Sequence, residues 1–98
     1  MAECKSALLV FFTSERSGPA RRMESVLAHI GRKERSSLIV MRVDVDAHAE
    51  LAERFRVAVV PTLVLVQDRR AVGRLEGRVS APRIERLLAT HREPLVAA

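Results

Sequence analysis

Leu8-Leu9-Val10-Phe11-Phe12-Thr13-Ser14-Glu15-Arg16-Ser17-Gly18-Pro19-Ala20 decides the fold. The apolar run from Ala7 to Thr13 places branched and aromatic residues at successive positions, so neither face is reserved for water, the pattern of a strand covered on both sides of a sheet. The chemistry then changes abruptly. Ser17 stands where a helix N-cap is wanted, and Gly18-Pro19 opens the helix, because proline is tolerated in a first turn whose amides lack partners anyway. From Ala20 the apolar residues Met23, Val26, Leu27 and Ile30 follow at three-and-four spacing, with Arg21, Arg22, Glu24 and Ser25 on the opposite face. Gly31 offers a left-handed residue to end that helix.

Working outward, Leu38 to Val45 alternates, with Met41, Val43 and Val45 on one face and Val40, Arg42 and Asp44 on the other, as in an edge strand with a partly wet side. Asp46 is placed to N-cap a helix whose apolar stripe is Leu51, Ala52 and Phe55. In the run from Val57 to Val66, Pro61 cannot donate to a ladder, so it marks the start of a strand. Gln67 to Ala71 reads as a polar turn and Val72 to Gly77 as the return strand of a hairpin, without the Asn-Gly that specifies the tightest turns. Ser80 caps a last helix with Pro82 in its first turn and Ile84, Leu87 and Leu88 on its core face. The order is a right-handed parallel βαβ unit, a hairpin and a closing helix, with residues 1–6 and 93–98 as tails of a single domain whose core spans about 7–91.

Composition bounds the function. A chain of 98 residues, 48% hydrophobic and 30% charged, is one domain's worth. Phe11, Phe12 and Phe55 are its only aromatic residues, too few for a base-stacking nucleic-acid platform, so nucleic acid is not an expected partner. The longest apolar run is far short of a membrane span, and the N-terminus lacks the features of a secretory signal, so a soluble, cytoplasmic protein with no membrane partner is expected. The net charge of +5 comes from 15 Arg and 2 Lys scattered among glutamates, which fits either an acidic partner or simple codon bias. His29, His48 and His91 show no ligand spacing, so neither a metal site nor a cofactor is expected. Cys4 is the one cysteine and closes no intrachain disulfide.

With that order in place, four strings carry a resemblance to the thioredoxin family, spanning roughly Leu8 to Leu88. Leu9-Val10-Phe11-Phe12 runs into Ser17-Gly18-Pro19-Ala20 as the family's central strand runs into its Trp-Cys-Gly-Pro-Cys loop. Arg42-Val43-Asp44-Val45-Asp46 resembles the end of the following strand, and Val59-Val60-Pro61-Thr62-Leu63 resembles the cis-proline loop. Gly77, Ser80 and the Ile84-x-x-Leu87-Leu88 helix match the C-terminal end. The resemblance implies an α/β three-layer sandwich around a four-stranded mixed sheet. Only residues 1–6 precede the first strand, so the family's N-terminal strand and helix are expected to be absent, leaving the minimal βαβαββα form with 38–45 as an edge.

The departures bear on activity. Ser17 and Ala20 occupy the positions of both redox cysteines, Phe11 that of the family's buried aspartate, and Arg16 that of the tryptophan before the motif. A serine hydroxyl forms no mixed disulfide, so the site is expected to be redox-silent. Ser17 has no base near it in sequence, and helix capping accounts for it. In thioredoxins the residue before the cis-proline pairs its backbone with an extended peptide, a role that falls here to Val60. The expected function is a non-catalytic domain that holds a protein or peptide segment, acidic in character, at Arg16, Ser17, Val60 and Pro61, with Arg21 and Arg22 as a basic rim; a groove kept only because folding needs the turn is the opposing reading. The alternative function is a thioredoxin-type disulfide oxidoreductase working through Cys4 or a partner's thiols. A monomer, or a weak homodimer through strand 38–45 with Arg42 facing the partner's Asp44, is expected.

Overall fold

In the computed structural model, residues 7–91 are described; Cys4 and the tails at 1–6 and 93–98 lie outside them. Strand β1 (Ala7–Thr13) is parallel to β2 (Leu38–Asp44) and antiparallel to β3 (Thr62–Gln67), and β3 pairs antiparallel with β4 (Arg70–Glu76), giving a four-stranded mixed sheet in the order β2-β1-β3-β4. The α/β sandwich and the edge position of β2 follow the sequence pattern.

Alternation along β1 divides the interior in two. Leu9 and Phe11 join Leu63 and Leu65 under the helices that follow β1 and under the closing helix α4 (Ala81–Thr90), which contributes Ile84 and Leu88. Val10 and Phe12 enter the opposite layer with Val43, Val64 and Ala52, the last from the short helix α3 (Ala49–Arg54). Phe55, just past α3, sets its ring 5.5 Å from that of Phe12 in a tilted pair. Helices therefore cover both faces of the sheet, as the three-layer arrangement requires.

Four local features depart from the pattern. The helix expected from Ala20 is two helices, α1 (Gly18–Arg22) and α2 (Glu24–Lys33), joined at Met23, whose N–H bonds the Ala20 carbonyl at 3.1 Å in a tighter turn than the α-helix. Gly31 does not end the helix. It lies inside α2 where a Cβ would come within 3.3 Å of Val40 Cγ2, so its missing side chain serves the close approach of α2 to β2 rather than a left-handed turn. The hairpin turn is only Asp68-Arg69, both residues left-handed at φ 51° and 68°, so β4 starts at Arg70 rather than Val72. Positive φ at both central positions is what the right-handed twist of a two-residue hairpin demands, and aspartate is among the side chains that tolerate it. Ser80 occupies the N-cap of α4 but accepts through its backbone carbonyl, from Arg83 and Ile84, and its hydroxyl makes no capping bond.

Ile84 is fully buried between α4 and the sheet. Ile84→Ala should cost about 2–5 kcal/mol, read as a lower urea midpoint at unchanged slope. A loss below about 1 kcal/mol would show that α4 does not pack on the sheet as described.

Candidate functional site

At its C-terminal end β1 delivers the chain into a tight loop. Ser14, 7% exposed, donates from Oγ to Asp46 Oδ2 at 2.7 Å and accepts the Arg16 N–H at 3.2 Å, while its carbonyl takes the Ser17 N–H at 3.0 Å. The loop after β1 is thereby tied to the loop between β2 and α3. This corrects the role expected of Asp46: α3 begins later, with His48 at its N-cap and no side-chain cap, and the Asp46 carboxylate is taken by Ser14 instead. Asp46 N–H donates to Asp44 Oδ1 at 2.8 Å, and the Asp44 carbonyl accepts from Ala47 and His48, so the turn is closed by Asp44.

Ser17 caps α1 as the sequence indicates, accepting the Ala20 N–H on Oγ at 3.1 Å from an extended backbone. Gly18 and Pro19 are exposed on the first turn. Ala20 is fully buried in the same apolar cluster as Phe11, itself 2% exposed. The position behind the motif is therefore the hydrocarbon of Phe11, and the buried polar residues of this end of the sheet, Thr13 and Thr62, are hydroxyls with no ionisable group. A Ser17 hydroxyl that accepts from an amide, backed by Phe11, has no base to take its proton and no thiol to exchange.

Facing this loop is the Val59-Val60-Pro61 turn, in which the Val60–Pro61 peptide is cis. Thr62 Oγ1 donates to the Val59 carbonyl at 2.7 Å and Gly77 N–H to the Pro61 carbonyl at 2.8 Å, holding the turn from both sides. Gly77 has φ +83°, a conformation that favours glycine. Val60 packs against the cluster that contains Ala20 and Phe11, so the motif and the turn converge on one apolar floor. Neither the amide nor the carbonyl of Val60 bonds to another described residue. Val59, 44% exposed, presents an apolar side chain beside it, in a segment that precedes β3 and forms no strand, as the placing of the strand start at Pro61 implies.

The basic rim is only partly assembled. Arg16, Arg21 and Arg22 are all exposed, but Arg21 shares a shallow depression with Glu15, Glu24 and Arg42, and Arg42 is paired with Glu24 at 3.2 Å. The Ser14–Asp46 bond was not visible in sequence, since 32 residues separate its partners. Among the described residues no group of three or more His, Cys, Asp or Glu is arranged to hold a metal.

The thioredoxin family model matches residues 1–90. Thioredoxin-1 of Drosophila melanogaster is 34% identical over 76 residues, which cover 78% of this chain and 70% of that protein. Thioredoxin of Mycobacterium tuberculosis is 36% identical over 70 residues, 71% of this chain and 60% of its own length. Among solved structures, the germline-specific thioredoxin Deadhead of Drosophila melanogaster superposes with a TM-score of 0.83 at 28% identity, covering 89% of this chain and 82% of that one. Fasciola hepatica thioredoxin, at 23% identity, shares the fold with a TM-score of 0.84 over 90% of this chain and 83% of its own.

The capping geometry gives a direct expectation. Ser17→Ala should destabilise the protein by about 1 kcal/mol in urea unfolding, and Ser17→Thr should recover most of it. Equal stability of all three proteins would show that the hydroxyl does not cap α1.

Proposed function

This chain belongs to the thioredoxin family, and from that premise we propose that it is a redox-silent member that holds an extended protein segment across the loop 14–17 and the Val59-Val60-Pro61 turn. The observation that carries the reading is the occupancy of the motif: Ser17 is committed to the Ala20 amide, and Ala20 is buried in the same apolar cluster as Phe11. Disulfide exchange needs an attacking thiolate and a resolving thiol, and the positions that supply them in the family hold neither.

Peptide binding asks for less. An extended segment lying antiparallel to Val60 meets its amide and carbonyl, which have no partner among the described residues, forming main-chain hydrogen bonds that require no particular side chain. Val59 supplies apolar contact for one side chain of that segment, and Arg16 and Arg22 favour acidic residues at its ends. Because the arginines are exposed, their contribution lies in orientation and encounter and is reduced by salt.

The competing reading, a disulfide oxidoreductase acting through Cys4 or a partner's thiols, rests on the relatives, which are named thioredoxins. An insulin-reduction assay with dithiothreitol or a thioredoxin reductase separates the two. No turnover above a Cys4→Ser control is expected, and turnover above it would overturn the redox-silent reading. Ser17→Cys with Ala20→Cys should form a disulfide yet stay far slower than a thioredoxin, because Phe11 replaces the proton-handling aspartate of the family. Binding is tested by titrating an acidic extended peptide into isotopically labelled protein. Shifts concentrated at Arg16, Ser17, Val59 and Val60, weakened by Arg16→Glu, are expected; shifts elsewhere would remove the groove from the account.

A further inference from the structure

Among the described residues the sheet has two open edges, β2 and β4, and they differ in how they are defended. On β4 the side chains of Arg70, Arg74 and Glu76 are charged, and the register with β3 slips between Leu65 and Val66. Charge and irregularity of this kind discourage a further strand. On β2 the pairing with β1 is regular over its whole length, and Ile39 and Met41 are 57% and 45% exposed on the face whose other end, at Val43, is buried under α3.

From this we infer that β2 is a homodimerisation edge, pairing antiparallel with β2 of a second copy about a two-fold axis at Met41. The choice of partner and register follows from the backbone. Ala7 donates to the Ser37 carbonyl and Val45 to the Thr13 carbonyl, which sets the phase of the parallel ladder: odd-numbered residues of β2 bond β1, and the even-numbered ones turn their amides and carbonyls outward. Two of those outward groups are already used, the Leu38 amide by the Glu34 carbonyl and the Asp44 carbonyl by Ala47 and His48. The groups without a partner among the described residues are the Leu38 carbonyl, both groups of Val40, both groups of Arg42 and the Asp44 amide.

A two-fold at Met41 sets Val40 against Arg42 of the second copy, and Leu38 against its Asp44. The first pairing exchanges both hydrogen bonds. The second needs only the Asp44 amide and the Leu38 carbonyl, because the other two groups of that pair are the ones already satisfied. Every remaining group is matched, and only by this register. Centring on Val40 leaves the Arg42 carbonyl and the Asp44 amide unpaired; centring on Arg42 strands the Leu38 carbonyl and sets two guanidinium groups opposite each other. The Arg42–Asp44 pairing expected from sequence needs a centre at Val43, which leaves Leu38 and Val40 largely unmatched, and Arg42 is already paired with Glu24.

The side chains agree with the backbone. In the Met41-centred register Met41 meets Met41 and Ile39 meets Val43, as non-hydrogen-bonded pairs whose side chains approach most closely. The two most exposed large hydrophobic residues of the described chain are then covered by copies of the same strand. The edge is separate from the groove, so dimerisation and peptide binding stand or fall independently.

Sedimentation equilibrium of the full chain from ~10 µM to ~1 mM tests the inference. A monomer–dimer equilibrium is expected within that range, held or strengthened at ~0.5 M salt because no exposed ion pair sustains it and the two copies carry like net charge. Met41→Lys, which sets like charges opposite each other at the axis, and Arg42→Pro, which deletes an outward amide without touching the β1 ladder, should each weaken the dimer about tenfold or more. Ala71→Lys on the β4 edge should leave it unchanged. Hydrogen exchange at the Val40 and Arg42 amides should be fast in dilute protein and slow in concentrated protein. A monomer throughout, slow exchange already in dilute protein, a dimer dissociated by salt, or one indifferent to Met41→Lys would each overturn the inference.

Discussion

Leu9 and Phe11 point into one apolar layer and Val10 and Phe12 into the other, while the backbone of the same residues is bonded to β2 on one side and β3 on the other. Everything else is arranged around that strand. Each of its four side chains is at most 3% exposed, and burying a residue of this size is worth roughly 1.5–3 kcal/mol. Because β1 has no wet face, the helices must be divided between the two sides of the sheet. That requirement places α1, α2 and α4 together and leaves α3 alone opposite them.

The same strand decides what the site can do. Its last residues aim the loop 14–17 at the Val59-Val60-Pro61 turn, and the Ser14–Asp46 bond fixes that loop against the neighbouring connection. In a thioredoxin such a delivery presents a thiol backed by an ionisable group. Here the interior position behind the motif is Phe11, and the helix that would carry the resolving cysteine buries the methyl of Ala20 in the same apolar cluster. Substitution at the motif and substitution behind it therefore agree: an apolar floor cannot take part in the proton transfer a thiolate needs, and positions 17 and 20 hold no thiol to need it. What remains is main-chain hydrogen-bonding capacity at Val60 and an apolar side chain at Val59, the features on which the proposed binding of an extended segment rests.

Sheet edges show a related economy. β4 is protected by its own charges, and Arg74 also ties it to α3, its guanidinium donating to the carbonyls of Phe55 and Arg56 where that helix ends. Arg56 takes a left-handed conformation there at φ 56°, which exposes those carbonyls to capture. On β2 the charged residues are Arg42, held by Glu24 of α2, and Asp44, while the apolar residues on its α3 side extend beyond the reach of that short helix. Among the described residues, charge is thus spread along the β4 edge, whereas the β2 edge also carries an apolar strip at Ile39 and Met41.

The sequence by itself determined the order of the elements, the doubly buried strand, the family and the loss of both redox cysteines, because each is written in local composition or in strings of fixed spacing. Ser17 as N-cap and Pro61 at the head of β3 were legible for the same reason: the chemistry that places them acts within a few residues. Tertiary structure alone decided that Asp46 serves Ser14 and not a helix, since that bond joins residues 32 apart. It also decided that Gly31 is the contact point of α2 with β2, since a glycine that makes room and one that turns the chain look identical in sequence. The exposure of Val59, Ile39 and Met41 belongs to the same class. A β-branched or apolar residue in a strand-like run is assigned to the interior by its pattern, and whether a helix reaches far enough to cover it depends on the length and placement of elements distant in the chain.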